Sequence, residues 1–93
     1  MASRWRRRRM CVLVADFAVP AALRTISATG AMLETNARPA LGARIELHHP
    51  EAGMIEGIVR AISTDGVAIA FPCSEASMAY ALAAITADMS KAG

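Results

Sequence analysis

From Met10 to Phe71 the chain runs through short apolar or alternating segments, punctuated by Pro, Gly, Ser and Asn. Met10 to Phe17 is nearly all apolar, too short for a typical helix and rich in Val, which predicts a buried strand. Pro20 is expected to end it, because proline has no N–H for a ladder. A second short strand is expected around Ala22 to Ile26. Ser27-Ala-Thr-Gly30 reads as a turn, since Ser bonds local backbone and Gly permits positive φ. A third strand, Ala31 to Glu34, leads into a loop over Thr35 to Pro39. The cleanest alternation follows Gly42: Ala43, Ile45 and Leu47 point one way, and Arg44, Glu46 and His48 the other. Pro50 to Gly53 is a turn and Met54 to Ile62 a strand. Ser63-Thr-Asp-Gly66 carries the Asp-Gly signal of a tight hairpin, and Val67 to Phe71 completes it. Strands in this number joined by short turns predict a mainly β fold, a six-stranded antiparallel β-barrel, closed or nearly so.

After Pro72 the period changes. Met78, Leu82, Ile85 and Met89 are spaced 4, 3 and 4, the stripe of a C-terminal α-helix over about 74–90. Ser74 suits the N-cap, and Glu75 the first turn, where the helix dipole favours an acid. The stripe is expected to close the barrel, so that a carboxylate at Leu82 unfolds the domain. Its alternative use is to dock a partner helix.

Ninety-three residues make a single domain, and 55% hydrophobic residues supply a core without disulfide or metal. Trp5, Phe17, Phe71 and Tyr80 are the aromatic residues, so aliphatic side chains and methionines must fill most of that core. Cys11 and Cys73 sit in apolar surroundings with no C-x-x-C spacing. They read as buried thiols of a protein kept in a reducing cytoplasm. A basic run before Met10 to Ala15 imitates a signal peptide, but Asp16 interrupts it. No apolar run reaches the roughly 18 residues of a spanning helix.

Charge changes this picture at one place. Arg4, Arg6, Arg7, Arg8 and Arg9 supply five of the ten basic residues, leaving five basic against eight acidic side chains in the rest of the chain. Residues 1–9 therefore read as a flexible arginine-rich arm on a domain of residues 10–93. Guanidinium groups are strong bidentate phosphate ligands. Signatures of catalysis are missing, with no G-x-S-x-G, H-E-x-x-H or Walker loop, so the chain is not expected to be an enzyme or to carry a cofactor. His48 and His49 read as surface loop histidines, since adjacent residues on a strand face opposite ways and make a poor joint metal site. Binding of nucleic acid or of an anionic membrane would rest on the arm alone, with Trp5 free to stack on a base.

If the first two strands form a hairpin, the arginines at the start of the first lie beside the Ser27–Gly30 turn at the end of the second. Hydroxyl and backbone donors beside guanidiniums make an anion pocket.

The ordered motifs resemble the PilZ domain family. Arg4-Trp-Arg-Arg-Arg8 matches R-x-x-x-R. Thr25-Ile-Ser27-Ala-Thr-Gly30 is similar to D/N-x-S-x-x-G, with Thr25 in the Asp/Asn position. Leu41 to Leu47, Gly57 to Arg60 and Gly66 to Phe71 resemble the remaining strands in order and spacing, so the resemblance runs from Arg4 to about Met89. It implies a six-stranded barrel with a C-terminal helix. It also implies binding of the bacterial second messenger cyclic di-GMP, as a sensor or effector that passes the signal to a downstream protein partner. The implied ligand-binding residues are Arg4, Arg8, Ser27 and Gly30, with Thr25 at the variant position and Arg9 added because register in an arginine run is loose. Threonine lacks the second acceptor oxygen with which a carboxylate holds two guanine N–H groups. Some PilZ-like domains bind no nucleotide and serve as protein-interaction modules, which is the alternative function.

Overall fold

The structure, a computed structural model, describes residues 9–92 and the side chains of residues 10–87. Six strands come first: β1 (Arg9–Val14), β2 (Ala18–Ser27), β3 (Gly30–Glu34), β4 (Arg44–His49), β5 (Gly53–Ile62) and β6 (Gly66–Ala70). One helix, α1 (Glu75–Ala92), follows. The strands close into an antiparallel barrel in the order β1-β2-β3-β6-β5-β4, with β1 and β4 meeting through Leu13 opposite Leu47. Period-2 alternation drives this closure. Cys11 and Leu13 of β1, Ile45 and Leu47 of β4, and Val67 and Ile69 of β6 all point inward and are buried.

Three expectations change in detail. Pro20 does not end a strand, because β2 runs through it opposite Val12. Pairing with β3 begins only at Ala22, so Pro20 lies where no β3 ladder asks for its missing N–H. Its carbonyl accepts the Thr35 hydroxyl at 2.9 Å. His49 is not a surface residue. It closes β4 with its ring buried, and its Nδ1 accepts the backbone N–H of Glu51 and of Ala52, each at 3.0 Å, fixing the turn into β5. His48 does face outward and meets Glu46 at 3.0 Å. Of the cysteines expected to be buried, Cys11 is, whereas Cys73 is exposed beyond the end of β6.

The helix starts where expected. Ser74 Oγ accepts the Ser77 N–H at 3.2 Å and Ser77 Oγ accepts the Ser74 N–H at 2.9 Å, a reciprocal cap that occupies two donors at the helix start. Its buried face differs from the expected stripe. Met78 (54%), Leu82 (65%) and Ile85 (42%) are exposed, while Ser77, Tyr80, Ala81 and Ala84 are buried. These follow the i, i+3, i+4, i+7 spacing of one helix face, and they are small apart from the tyrosine. Small side chains let the helix backbone approach the barrel, and Tyr80 reaches in. Its hydroxyl donates to the Leu47 carbonyl at 3.0 Å, and its ring stands edge-on to Phe71 and His49 at 6.2 and 6.3 Å. Burial pushes the phenol pKa well above its ordinary value, and the Cys11 thiol pushes it the same way. The side chain of Met89 lies outside those described.

Candidate functional site: a groove over β3 and β6

Two β-bulges shape one outer face of the barrel. In β2 the pairing with β3 shifts between Leu23 and Thr25, leaving Arg24 as the extra residue. In β5 the pairing with β6 shifts between Val59 and Ala61, leaving Arg60 as the extra residue. Each bulge breaks the strict alternation, so a position that would have pointed into the core turns outward. Leu23 and Val59 are buried, yet Thr25 and Ala61, two residues on, are exposed.

The result is a pair of rows across β2, β3, β6 and β5. Thr25, Met32, Ala68 and Ala61 are successive register partners in one row. Ser27, Gly30, Ala70 and Ile58 make the next. Three of the four middle positions, Gly30, Ala68 and Ala70, are small, and over them, beside the half-exposed Met32, the face sinks into an open, shallow groove of about 320 Å³. Thr25, Ser27 and Thr29 stand along one side, and Arg60 contributes from the other. Among the described residues lining it Arg60 is the charged one, and its guanidinium favours an anion.

The β2–β3 turn is held by its own hydroxyls. Ser27 Oγ accepts the Thr29 N–H at 3.2 Å and lies 3.1 Å from Thr29 Oγ1, while the Thr29 carbonyl accepts the Phe71 N–H at 3.0 Å. Gly30 does not owe its place to positive φ, which among the described glycines belongs to Gly42 and Gly53. It is glycine because a Cβ there would be driven into the Ile69 carbonyl oxygen of β6. Close approach of β3 to β6, rather than turn geometry, fixes the residue.

Of the residues expected at a binding site, Thr25, Ser27 and Gly30 lie together in this groove. Arg4 and Arg8 lie outside the described residues. Arg9 opens β1, opposite Leu23 and so two residues along β2 from Thr25, with its side chain outside those described. Arg60 was missed as a site residue. The alternation of β5 gives it an outward position, but the bulge that sets it over β6 leaves no local signal. Among the described residues, no group of three or more His, Cys, Asp or Glu side chains is placed to hold a metal ion. No described helix is long and apolar enough to cross a membrane. Against protein-family models, curated proteins and solved structures, the chain finds no match.

Proposed function

We propose that this chain is a PilZ-like sensor domain that binds cyclic di-GMP in the groove over β3 and β6, in a bacterial cytoplasm. One observation carries the reading: Thr25, Ser27 and Gly30 share a groove whose lining, among the described residues, carries one charge, the positive one of Arg60. A floor of Gly30, Ala68 and Ala70 leaves room for a flat base. Hydroxyls beside it can donate to phosphate or to a guanine edge. In this reading Arg60 holds a phosphate from the β5 side, and Arg4, Arg8 and Arg9 hold phosphate and a guanine face from the chain leading into β1. Five crowded guanidiniums repel one another, and a dianionic ligand relieves that repulsion on binding. The domain then acts through a downstream protein partner and performs no chemistry of its own.

Calorimetric titration with cyclic di-GMP, with GTP and GMP as controls, tests this. Arg8→Ala is expected to weaken binding by roughly ten- to a hundredfold, the equivalent of one charge-assisted hydrogen bond, with an unchanged melting temperature. Thr25→Asp is expected to strengthen it by a few-fold or more, because a carboxylate accepts two guanine N–H groups where threonine offers one oxygen. No heat with either wild type or Thr25→Asp at millimolar ligand rejects the nucleotide. Function then passes to the second reading, a protein-interaction module, which the exposed row Met78, Leu82 and Ile85 on α1 favours.

A further inference from the structure

Each large apolar residue on the outside of α1 directly follows a buried small one: Met78 after Ser77, Leu82 after Ala81, Ile85 after Ala84. One residue is about 100° of helix rotation, so these side chains form a second stripe beside the one on the barrel. Their 4-3-4 spacing, continued at Met89, is the alternation of a and d positions in a coiled-coil seam. Residues 76–87 carry no charge, so a charged partner finds nothing to pair with along the seam.

We propose that this face of α1 packs antiparallel against the same face of a second copy of the chain. The sequence fits its own reverse. An a position faces a d position in antiparallel pairing, which sets Leu82 opposite Ile85 of the second copy and Ile85 opposite its Leu82, the same contact in both directions, with position 78 in register with position 89. On the flank, Ala79 comes opposite Thr86, with no bulky or like-charged clash. At each end the acidic first turn with Glu75 comes against the C-terminal end of the other helix, and the two helix dipoles oppose. A parallel pairing would instead set Glu75 against Glu75. The helix is 18 residues long, or about 27 Å, and two such helices bury less than the roughly 800 Å² per partner of a standard interface. The association is therefore weak, forming at tens to hundreds of micromolar, roughly the low end for specific contacts. It stands apart from the nucleotide reading, which neither of its outcomes touches.

Sedimentation equilibrium of the whole chain from about 10 µM to about 1 mM, a range bracketing that affinity, tests the proposal. The apparent mass is expected to rise from 9.8 kDa toward twice that value. Leu82→Glu alone and Ile85→Lys alone are expected to stay monomeric with unchanged melting. An equimolar mixture of the two is expected to associate again, because antiparallel pairing sets the new carboxylate at position 82 against the new ammonium at position 85 and leaves the other layer native. A wild-type chain monomeric throughout, or single variants that associate like wild type, overturns the proposal. A mixture that stays monomeric while wild type dimerises overturns the antiparallel pairing.

Discussion

The groove over β3 and β6 and the outer face of α1 are both outward surfaces left unfilled, and they are unfilled in opposite ways. The groove is made by leaving side chains out: Gly30, Ala68 and Ala70 form its floor, with hydroxyls on one side and Arg60 contributing from the other. The helix face is made by adding them: Met78, Leu82 and Ile85 stand out from a face without charge. A largely apolar hollow edged by hydroxyls and a guanidinium suits a small ligand with a flat apolar face and an anionic group, whose hydrogen bonds and charge need specific partners. An apolar ridge suits another apolar ridge, which needs only shape and spacing. One small domain thus offers two surfaces of different chemistry, and each can be altered without the other.

That contrast presumes that α1 is held by its inner face alone, so the largest expected effect comes from removing its anchor. Tyr80→Ala deletes a buried ring against Phe71 and His49 and the hydrogen bond to the Leu47 carbonyl. A loss of about 3–5 kcal/mol is expected from denaturant unfolding, as for other buried aromatics cut to alanine. A loss below about 1 kcal/mol would mean that the helix is held elsewhere. The same residue gives a pH test. Its phenol ionises at a higher pH in the folded chain than in the unfolded chain, so the folded state disfavours the anion. Tyr80 therefore contributes its full stabilisation below the ordinary phenol pKa of about 10, and that contribution falls as pH rises beyond it. Tyr80→Phe is expected to flatten that part of the stability–pH curve.

On the other surface Gly30→Ala is expected to cost about 1–3 kcal/mol, because its Cβ would strike the Ile69 carbonyl and force β3 from β6. Amide exchange should quicken along the pairs Gly30–Ala70 and Ala31–Ile69 while the β4–β5 ladder keeps its protection. Exchange quickening equally in all ladders would mean that the floor is not a separable part of the barrel.

Much of the fold was legible from the alternation. Ile45 and Leu47 inward against Arg44, Glu46 and His48 outward, and Asp65-Gly66 at the β5–β6 turn, are local signals that the barrel keeps. What was not legible depends on partners far along the chain. Pro20 sits in a strand because β3 stops short of it. Gly30 answers to a carbonyl thirty-nine positions away rather than to its own turn. Thr25 and Arg60 owe their placement to bulges, which appear only once two strands are set in register. On the helix, hydrophobicity marked the wrong face. The 4-3-4 stripe is the more apolar, but the barrel receives the face where small residues permit approach and Tyr80 has a carbonyl to reach.

Within the groove, Arg60→Ala and Ser27→Ala separate ligand contacts from fold. Arg60 is exposed, so its removal is expected to change stability by less than about 0.5 kcal/mol. It should weaken cyclic di-GMP by roughly tenfold or more. Ser27→Ala also loses the acceptor for the Thr29 N–H, so a smaller weakening with a slightly lower melting temperature is expected. Equal affinities in all three proteins would leave the groove without a part in nucleotide binding.

A small expected effect on stability is the sharpest test of the comparison. Leu82 is large, apolar and central in the stripe, and a buried carboxylate in its place would be ruinous. On the observed helix it is 65% exposed, so a carboxylate there stays solvated. Leu82→Glu, which keeps good helix propensity, is expected to shift unfolding by no more than about 0.5 kcal/mol. Nucleotide affinity should be untouched, because position 82 lies outside the groove. A melting temperature lowered as far as by Tyr80→Ala would mean that the helix turns its larger residues inward after all. In that event the exposed ridge, and its difference from the groove, would disappear together.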